Sequence, residues 1–299
     1  MTPPVALTIA GSDSGGGAGV QADLKTFAAW GVFGASALTA LTAQSTVGVH
    51  GVHPVPPAFV VAQVEAVLGD LDVRAVKTGM LGTAGVVEAV AGLAAAGRLP
   101  QLVVDPVMVA SSGDRLLEEP AERAYVDLLL PHTTVLTPNL LEAQALLGGT
   151  ISTLVEQREA ARALGLLGPR AVVVKGGHPV DGARSEAVDV VWDGVALLEL
   201  RAPRLDTPHT HGTGCTFAAA VTAGLASGRP VVLVVQQAKA YVALAIAAGA
   251  GWRLGAGHGP LDHLLGAAPG RAAVSGPADP GRPGPAAALP GGARWPSRA

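Results

Sequence analysis

The chain has 299 residues, of which 49% are hydrophobic, 14% are charged and 3% are aromatic. This hydrophobic content argues against a charged disordered chain, and the length suits one large α/β domain or two modest ones. The formal net charge is −3 without a cluster of Lys and Arg, which argues against a nucleic-acid partner and a polybasic membrane anchor. The single cysteine excludes an intramolecular disulfide and any zinc or iron–sulfur site built from several cysteines.

The sequence gives no sign of a targeting or membrane-spanning segment. Its first basic residue is Lys25, so the start of the chain lacks the positive region of a signal peptide. The stretch between Lys25 and Glu65 has no charged side chain, but glycines, prolines, threonines and histidines interrupt it. We expect buried strands and loops there rather than a spanning helix, and a soluble, cytoplasmic protein without a membrane partner.

Short apolar runs alternate with longer segments of helical spacing. The predicted strands are residues 5–10, 35–43, 75–78, 102–107, 135–136 and 171–175, with an extended flap at 50–55 and a hairpin of 188–192 with 196–200. The predicted helices are residues 20–30, 58–71, 84–96, 121–130, 140–147, 154–167, 213–227 and 231–249. This alternation predicts an α/β fold with a mostly parallel sheet covered on both faces, and ligands bind such sheets beyond the carboxyl ends of the strands.

The last 34 residues have a different composition from the rest. Between residues 266 and 299, 24 residues are Gly, Ala or Pro, and no hydrophobic period is present. Such a segment cannot bury enough apolar surface to fold. We therefore predict one folded domain at residues 1–265, followed by a disordered tail.

The strongest local motif is His211-Gly212-Thr213-Gly214-Cys215, directly before an apolar helix. The glycines allow close approach of the backbone, and the helix start offers unpaired N–H groups with a partial positive charge. These features predict an anion pocket, in which a thiolate at Cys215 is favoured as nucleophile or proton acceptor. A buried structural cysteine at a glycine-rich helix start is the alternative.

A glycine loop, two carboxylates and a lysine follow other predicted strands. Residues 11–19 resemble a phosphate loop in composition but match neither the Walker A nor the dinucleotide spacing, so a tight turn is the alternative. Asp105 and Glu142 lie at or after adjacent strand ends, where a pair of carboxylates can hold a hydrated Mg²⁺ against a phosphate. Lys175 ends a further strand and can neutralise phosphate charge. Solvated surface charges are the alternative for all three residues.

Seven segments follow one another in a characteristic order and spacing across about residues 4–265. They are residues 11–27, Thr42-Ala43-Gln44-Ser45-Thr46, Lys77-Thr78-Gly79-Met80-Leu81, Asp105-Pro106-Val107-Met108, Thr137-Pro138-Asn139, Lys175-Gly176-Gly177-His178 and the motif that ends at Cys215. Together they resemble the hydroxymethylpyrimidine/phosphomethylpyrimidine kinases of thiamin biosynthesis, which belong to the ribokinase-like superfamily. The tail has no counterpart in that family.

The resemblance implies a ribokinase-like three-layer α/β/α domain, a homodimer, and the use of ATP and Mg²⁺. It implies phosphorylation of the hydroxymethyl group of an aminopyrimidine and then of the resulting monophosphate. The implied substrate site has Gln44 hydrogen-bonded to the aminopyrimidine and Asp23 assisting. Gly11, Met80 and Val107 complete that site, the last two as apolar walls.

The resemblance also implies where the phosphates and the metal bind. Gly212, Thr213 and Gly214 would form the anion hole for the transferred group, and Asn139 and Lys175 would face the nucleotide phosphates. Asp105 and Glu142 would act on Mg²⁺ directly or through water. Cys215 would be the catalytic base, at the position where many relatives in the superfamily have an aspartate.

Two other functions remain open at this stage. A pyridoxal or pyridoxine kinase of the same fold would act on a similar methylated ring with a hydroxymethyl group, alone or as a side activity. The Gln44 amide favours the pyrimidine because it can match both a donor and an acceptor. A non-catalytic vitamin-binding protein would be expected to lack the base, the carboxylates or the anion-hole glycines, and all of these are present.

Overall fold

Eight strands form the central sheet of the computed structural model, which describes residues 2–108, 119–177 and 185–265. The strands along the chain are β1 (Val5–Ala10), β2 (Phe33–Leu38), β3 (Ala40–Ser45), β4 (Gly48–Pro54), β5 (Val73–Thr78), β6 (Val103–Val104), β7 (Val135–Leu136), β8 (Ala171–Val174), β9 (Glu186–Trp192) and β10 (Leu197–Pro203). The sheet order is β10-β9-β8-β7-β6-β5-β1-β2, whereas β3 and β4 form a separate antiparallel pair. His178 and the predicted tail at 266–299 lie outside the described residues.

Most neighbouring strands in the large sheet are parallel. The parallel pairs run from β2 through β1, β5, β6 and β7 to β8, and the hairpin of β9 and β10 adds two antiparallel strands at one edge. The predicted mostly parallel sheet is therefore confirmed. Parallel neighbours need long crossovers, which the helices between the strands supply.

Helices cover both faces of the sheet. They are α1 (Gly19–Ala29), α2 (Pro57–Asp70), α3 (Ala84–Ala95), α4 (Glu119–Ala124), α5 (Leu140–Leu147), α6 (Leu154–Gly165), α7 (Thr213–Ala226) and α8 (Val231–Gly249). One buried cluster joins the sheet to residues of α2 to α6, and a second joins its other face to α1, α7 and α8. The three-layer α/β/α architecture predicted from the resemblance is confirmed.

Because side chains alternate along a strand, polar residues at the ends of several strands point to the same side of the sheet. Ala75, Val103, Val135 and Val173 all belong to the core on the α1, α7 and α8 side. Successive side chains of a strand point to opposite faces, so residues two positions further on share that side. Those residues are Lys77, Asp105, Thr137 and Lys175. Polar groups from four neighbouring strands are thereby directed towards α7.

Two predicted strands differ from those observed. Residues 35–43 are two strands, because the chain leaves the large sheet at Thr39, whose backbone bonds Ala10 and Val55. The predicted strand at 102–107 pairs with its neighbours only at Val103 and Val104. Pro106 lacks the N–H group that a longer ladder would need.

The predicted helix at residues 121–130 has the right place but not a uniform geometry. After α4 the chain continues as a π-helical turn at Tyr125–Leu129 and a 3₁₀ turn at Leu130–His132. Pro131 lies in this last turn, where its ring excludes a regular α-helical hydrogen bond.

Among the described residues, α8 is the one helix long and apolar enough to cross a membrane, judged by its 19 residues and mean hydropathy of 1.8 alone. The sequence analysis did not single it out. In the structure, Val234, Val235 and Ala238 bury one side of α8 in the core that it shares with α7. Core helices of globular domains also have such compositions, so this property assigns no membrane role.

Candidate active site

The first turn of α7 lies directly against the glycine loop. Gly212 precedes the helix with φ of +83°, a left-handed conformation that glycine adopts without strain. A Cβ atom at Gly212 would lie 1.9 Å from the carbonyl oxygen of Gly17. Gly212 therefore permits both the turn into the helix and the close contact with the loop at residues 11–19.

The start of α7 keeps backbone N–H groups available for an anion. The N-cap residue is Gly212, which has no side chain to cap the helix, and the first N–H groups of an α-helix have no partner within it. The N–H of Thr213 already donates to the Thr210 carbonyl oxygen at 3.2 Å. The predicted anion hole of Gly212, Thr213 and Gly214 thus lies at a helix N-terminus, where partial positive charge favours phosphate.

Lys175 and Asp105 meet beside this helix start. The Lys175 Nζ donates to Asp105 Oδ1 at 2.8 Å, and the Thr137 hydroxyl donates to the same oxygen at 3.2 Å. A Cβ atom on Gly214 would lie 3.1 Å from Lys175 Nζ and 3.7 Å from Asp105 Oδ2. Burial alone would lower the pKa of Lys175, but the nearby carboxylates of Asp105 and Glu142 raise it, so the ammonium group stays charged.

Asn139 and Glu142 form a capping box at the start of α5. Asn139 Oδ1 accepts from the Glu142 N–H at 2.9 Å, and Glu142 Oε2 accepts from the Asn139 N–H at 2.7 Å. This reciprocal pair holds Glu142 almost fully buried behind the strand ends. Burial raises the pKa of Glu142 to about 7, with Asp105 acting in the same direction and Lys175 against it.

The donor set fits a magnesium ion that is held mainly through water and phosphate. Among the described residues, no group of three or more His, Cys, Asp or Glu could enclose a metal. Asp105 accepts its hydrogen bonds on Oδ1 and Glu142 on Oε2, which leaves a second oxygen on each carboxylate. Mg²⁺ usually takes one or two carboxylates and keeps several waters, so two such oxygens suit it.

Cys215 lies in the first turn of α7, as predicted, but its acidity differs from the prediction. The residue keeps some access to solvent, although protein atoms surround most of it. Burial raises the pKa of the Cys215 thiol to about 11, and the Asp23 and Asp105 carboxylates act in the same direction. Lys77 and the N–H of Gly19 oppose this rise. The expectation of a favoured thiolate is therefore wrong for the ligand-free chain.

Gln44 lies at a cavity of about 330 Å³, lined by Gln44, Ser45, Thr46, Val47, Gly48, His211, Gly257 and His258. The Thr42 hydroxyl lies 3.3 Å from Gln44 Oε1, and Gln44 Nε2 lies 3.5 Å from His211 Nε2. His211 Nε2 is in turn 2.8 Å from Asp13 Oδ2. Because a carboxylate only accepts, His211 Nε2 donates to Asp13 and cannot also accept from the Gln44 amide. The Gln44 amide therefore keeps its donor available for a ligand in the cavity.

Asp13 also folds the glycine loop. Its carboxylate accepts from the N–H groups of Gly15, Gly17 and Ala18 at 2.8 to 3.1 Å. Burial tends to raise the pKa of Asp13, but its bonds to His211 and to these amides lower it overall. Sequence analysis quoted both Asp13 and His211 within motifs and gave neither a role.

The residues predicted to line the substrate site are only partly brought together. A Cβ atom on Gly11 would lie 2.3 Å from Met80 Cε, so the methionine packs against the glycine backbone. Val107 is half-buried and follows Asp105, whose carbonyl oxygen accepts from its N–H at 2.8 Å. Asp23 is fully buried and bonds Thr8 and Lys77 rather than lining the cavity at Gln44.

Sequence analysis missed Lys77 and Thr137 as members of this cluster. Both lie at strand ends, two residues after a buried apolar residue on the α7 side. Lys175 and Asp105 obey the same rule. The spacing from the preceding core residue was the available signal, and it was not used.

Phosphoryl transfer requires positioning and charge neutralisation more than covalent chemistry by the protein. Backbone amides, a charged lysine and two carboxylates lie together at the strand ends of a three-layer α/β/α domain. This combination suits phosphoryl transfer and agrees with a kinase of the ribokinase-like class.

Comparison with known proteins agrees with this class. The family model of phosphomethylpyrimidine kinase matches residues 13–262. The hydroxymethylpyrimidine/phosphomethylpyrimidine kinase of Streptomyces coelicolor is 51% identical over 263 residues, which are 88% of this chain and 95% of that relative. The chain therefore belongs to the phosphomethylpyrimidine kinase family.

Two solved structures show the same fold at substantial sequence identity. The pyridoxal kinase from Staphylococcus aureus, in complex with AMP-PCP and pyridoxal, has a TM-score of 0.79 and 38% identity, covering 89% of this chain and 95% of that one. The phosphomethylpyrimidine kinase from Clostridium difficile 630 has a TM-score of 0.71 and 38% identity, covering 81% of this chain and 99% of that one.

Proposed function

We propose that this chain transfers the γ-phosphoryl group of ATP to the hydroxymethyl group of 4-amino-5-hydroxymethyl-2-methylpyrimidine, and then phosphorylates the monophosphate to the diphosphate. These two steps serve thiamin diphosphate biosynthesis. The observation that carries the proposal is the meeting of the α7 N-terminus with Lys175 and Asp105 at Gly214. It supplies positive charge and amide donors where a phosphoryl group would pass.

In this proposal different residues bind the pyrimidine, the nucleotide and the transferred phosphoryl group. Gln44 binds the amino group and a ring nitrogen of the pyrimidine, because its amide offers both an acceptor and a donor. Asn139 and Lys175 face the nucleotide phosphates, and the N–H groups at Gly212 to Gly214 bind the transferred group. Cys215 accepts the proton of the hydroxyl group as a thiolate; because its raised pKa leaves it a neutral thiol before substrate binds, it first loses its own proton to solvent.

Magnesium belongs to the same proposal. Asp105 and Glu142 would hold the ion, directly or through water, and the ion would neutralise charge on the ATP phosphates. A cation bound beside Glu142 would lower its pKa from about 7 and favour the carboxylate, whose proton would pass to solvent.

Pyridoxal phosphorylation is the second candidate, and one observation favours it. The pyridoxal kinase of Staphylococcus aureus matches this chain with a TM-score of 0.79. Both ring substrates carry a hydroxymethyl group, so one phosphoryl-transfer site could serve either. The position of Gln44 at the cavity supports the pyrimidine as the preferred substrate.

Assembly and location follow the family resemblance. We propose a homodimer in the cytoplasm, acting on small molecules and without a nucleic-acid or membrane partner. The net charge of −3 and the scarcity of lysine support the last two points.

Product analysis tests the proposed function. The purified chain is incubated with ATP, Mg²⁺ and hydroxymethylpyrimidine, and the products are separated and then identified and quantified by mass spectrometry. We expect the monophosphate to rise and then fall as the diphosphate forms. Phosphorylation of pyridoxal without any phosphorylated pyrimidine would favour the second candidate, and no phosphorylation of either ring would overturn both.

A further inference from the structure

A fully buried ion pair lies behind the site. Lys77 Nζ is 3.0 Å from Asp23 Oδ2, and neither side chain is exposed to solvent. Removing two charges from water is costly, and an apolar pair of similar size is often at least as stable. The presence of this pair inside a core otherwise rich in alanine and valine therefore calls for a functional reason.

The pair is built by two adjacent strands and one helix. Thr8 of β1 and Lys77 of β5 are direct neighbours in the parallel register. Both donate to Asp23 Oδ2 from α1, the Thr8 hydroxyl at 2.7 Å and the Lys77 ammonium at 3.0 Å. One carboxylate oxygen is thus fixed by two donors, which sets the orientation of the whole group.

The other oxygen of Asp23, Oδ1, has different surroundings. Among the described residues, Asp23 Oδ1 is buried without a hydrogen bond. A buried acceptor without a donor costs free energy that a ligand donor can recover. Burial raises the pKa of Asp23, and the Lys77 ammonium acts against this rise and favours the carboxylate.

Asp23 lies close to the reacting end of the proposed site. The N–H of Gly19 faces the Cys215 sulfur, and Asp23 is four residues further along α1, hence on the same side of that helix. The charges of Asp23 and Lys77 both act on Cys215. On the other side, Gly11 and Met80 follow Thr8 and Lys77 by three residues each.

The chemistry of Oδ1 favours the pyrimidine at the reacting end of the site, where ATP presents its phosphates. ATP phosphates at neutral pH carry no donor and would be repelled by a carboxylate. An aminopyrimidine with a hydroxymethyl group has N–H and O–H donors. A donor from this substrate can satisfy Oδ1 after a small movement of the side chains that cover it.

We propose that Lys77 is a positioning residue for the acceptor substrate: with Thr8 it holds the Asp23 carboxylate so that Oδ1 accepts a hydrogen bond from the bound pyrimidine. Lys77 is fully buried and acts on the pyrimidine through Asp23, although its charge also bears on the Cys215 thiol. The proposal rests on the proposed function, because it takes the pyrimidine as the ligand. It predicts that Lys77 affects the pyrimidine and not the nucleotide.

A double-mutant cycle tests this role. Lys77→Met and Asp23→Asn keep approximate shape and remove one charge each, and the double variant K77M/D23N restores neutrality in the core. For each protein we would measure kcat/KM for hydroxymethylpyrimidine, the Kd of ADP and the melting temperature. We expect each single variant to lower kcat/KM by roughly 10- to 100-fold, the value of a hydrogen bond to a charged group, with the Kd of ADP within about twofold of the parent.

The double variant distinguishes positioning from folding. Since Lys77 positions the pyrimidine through Asp23, the double variant should bind hydroxymethylpyrimidine no more weakly than D23N, and it should melt higher than K77M. Losses that multiply in the double variant, or a K77M enzyme with parental kcat/KM, would overturn the proposal. If the single variants do not fold, parental kcat/KM in the double variant would overturn it as well.

Measurements on the parent enzyme distinguish a failure of this proposal from a failure of the proposed function. A parent that phosphorylates no pyrimidine would contradict the proposed function alone. In that case calorimetry with hydroxymethylpyrimidine decides the role of Lys77. The positioning role is supported if binding weakens in K77M and D23N and weakens no further in the double variant. It is overturned if all four proteins bind the pyrimidine equally.

Discussion

The Lys175 ammonium lies 2.8 Å from the Asp105 carboxylate, although 70 positions separate the two residues in the chain. Their strands, β8 and β6, are separated in the sheet by β7, whose neighbour Thr137 donates to the same Asp105 oxygen. The parallel order of the strands brings all three side chains to one edge. This edge is the part of the fold on which the proposed phosphoryl transfer depends.

Replacing Gln44 by Leu should raise the KM for hydroxymethylpyrimidine and lower kcat/KM. Leu has about the same volume, but it leaves the polar edge of the ring unpaired, at a cost of roughly 1–3 kcal/mol. Steady-state kinetics with ADP binding as the internal control measures this effect. Unchanged kinetics would place the pyrimidine away from the cavity at Gln44.

Replacing Gly214 by Ala should lower kcat by at least about tenfold, because the new methyl group meets the Lys175 ammonium group beside the anion hole. Gly92→Ala in α3 is a matched control, since no heavy atom lies within 4 Å of its added Cβ. That control should keep full activity and equal or greater stability. Full activity in the Gly214 variant would argue against phosphoryl transfer at this helix start.

Replacing Glu142 by Gln should increase the Mg²⁺ concentration needed for half-maximal rate. Gln can still accept from the Asn139 N–H, so the capping box and the melting temperature should be preserved. A magnesium titration of parent and variant at saturating ATP measures the change. Identical titration curves would remove Glu142 from the metal site.

Replacing Cys215 by Ala should lower kcat by roughly 10²–10⁴, the usual contribution of a positioned base. Pyrimidine and ATP should bind almost unchanged, because the amides at the start of α7 are preserved. Cys215→Asp should restore part of the rate, because a carboxylate is ionised at neutral pH and can accept the proton. An alanine variant that keeps most of its kcat would mean that Cys215 only lines the site.

Alkylation measures the acidity of the same thiol. With the pKa raised to about 11, the thiolate fraction at neutral pH is small and grows as pH rises. The rate of reaction with iodoacetamide should therefore increase about tenfold per pH unit between about 7 and 10, and bound pyrimidine should slow it. A rate that levels off below about pH 8 would show a favoured thiolate instead.

Local sequence patterns predicted most of the fold but not the surroundings of the site residues. The strand at Val5–Ala10 and the helix at Val231–Gly249 have the predicted boundaries, because composition and period agree there. The break at Thr39 was not predictable, since it arises from bonds to Ala10 and Val55, which are distant in the chain. Short strands such as Val103–Val104 are limited by their neighbours rather than by their own composition.

The sequence motifs predicted which residues form the site, but they did not predict how the charges of these residues affect one another. The helix start at Cys215 favours a thiolate, but two carboxylates and burial outweigh it, and these come from other elements. Similarly, Lys77 looks like one residue of a strand motif, and its pairing with Asp23 depends on the register of β1 and β5. Charge balance in a buried site is a tertiary property, so the chain order of motifs does not determine it.

A competition assay tests the central claim most directly. Hydroxymethylpyrimidine and pyridoxal are supplied together at equal concentrations, with ATP, Mg²⁺ and a small amount of enzyme. The initial rates at which the two phosphorylated products form are then measured. The ratio of these rates equals the ratio of the two kcat/KM values. We expect the pyrimidine product to form faster by at least about tenfold, since Gln44 pairs with its amino group and ring nitrogen. Equal rates, or faster phosphorylation of pyridoxal, would contradict the claim that the pyrimidine is the preferred substrate of this site.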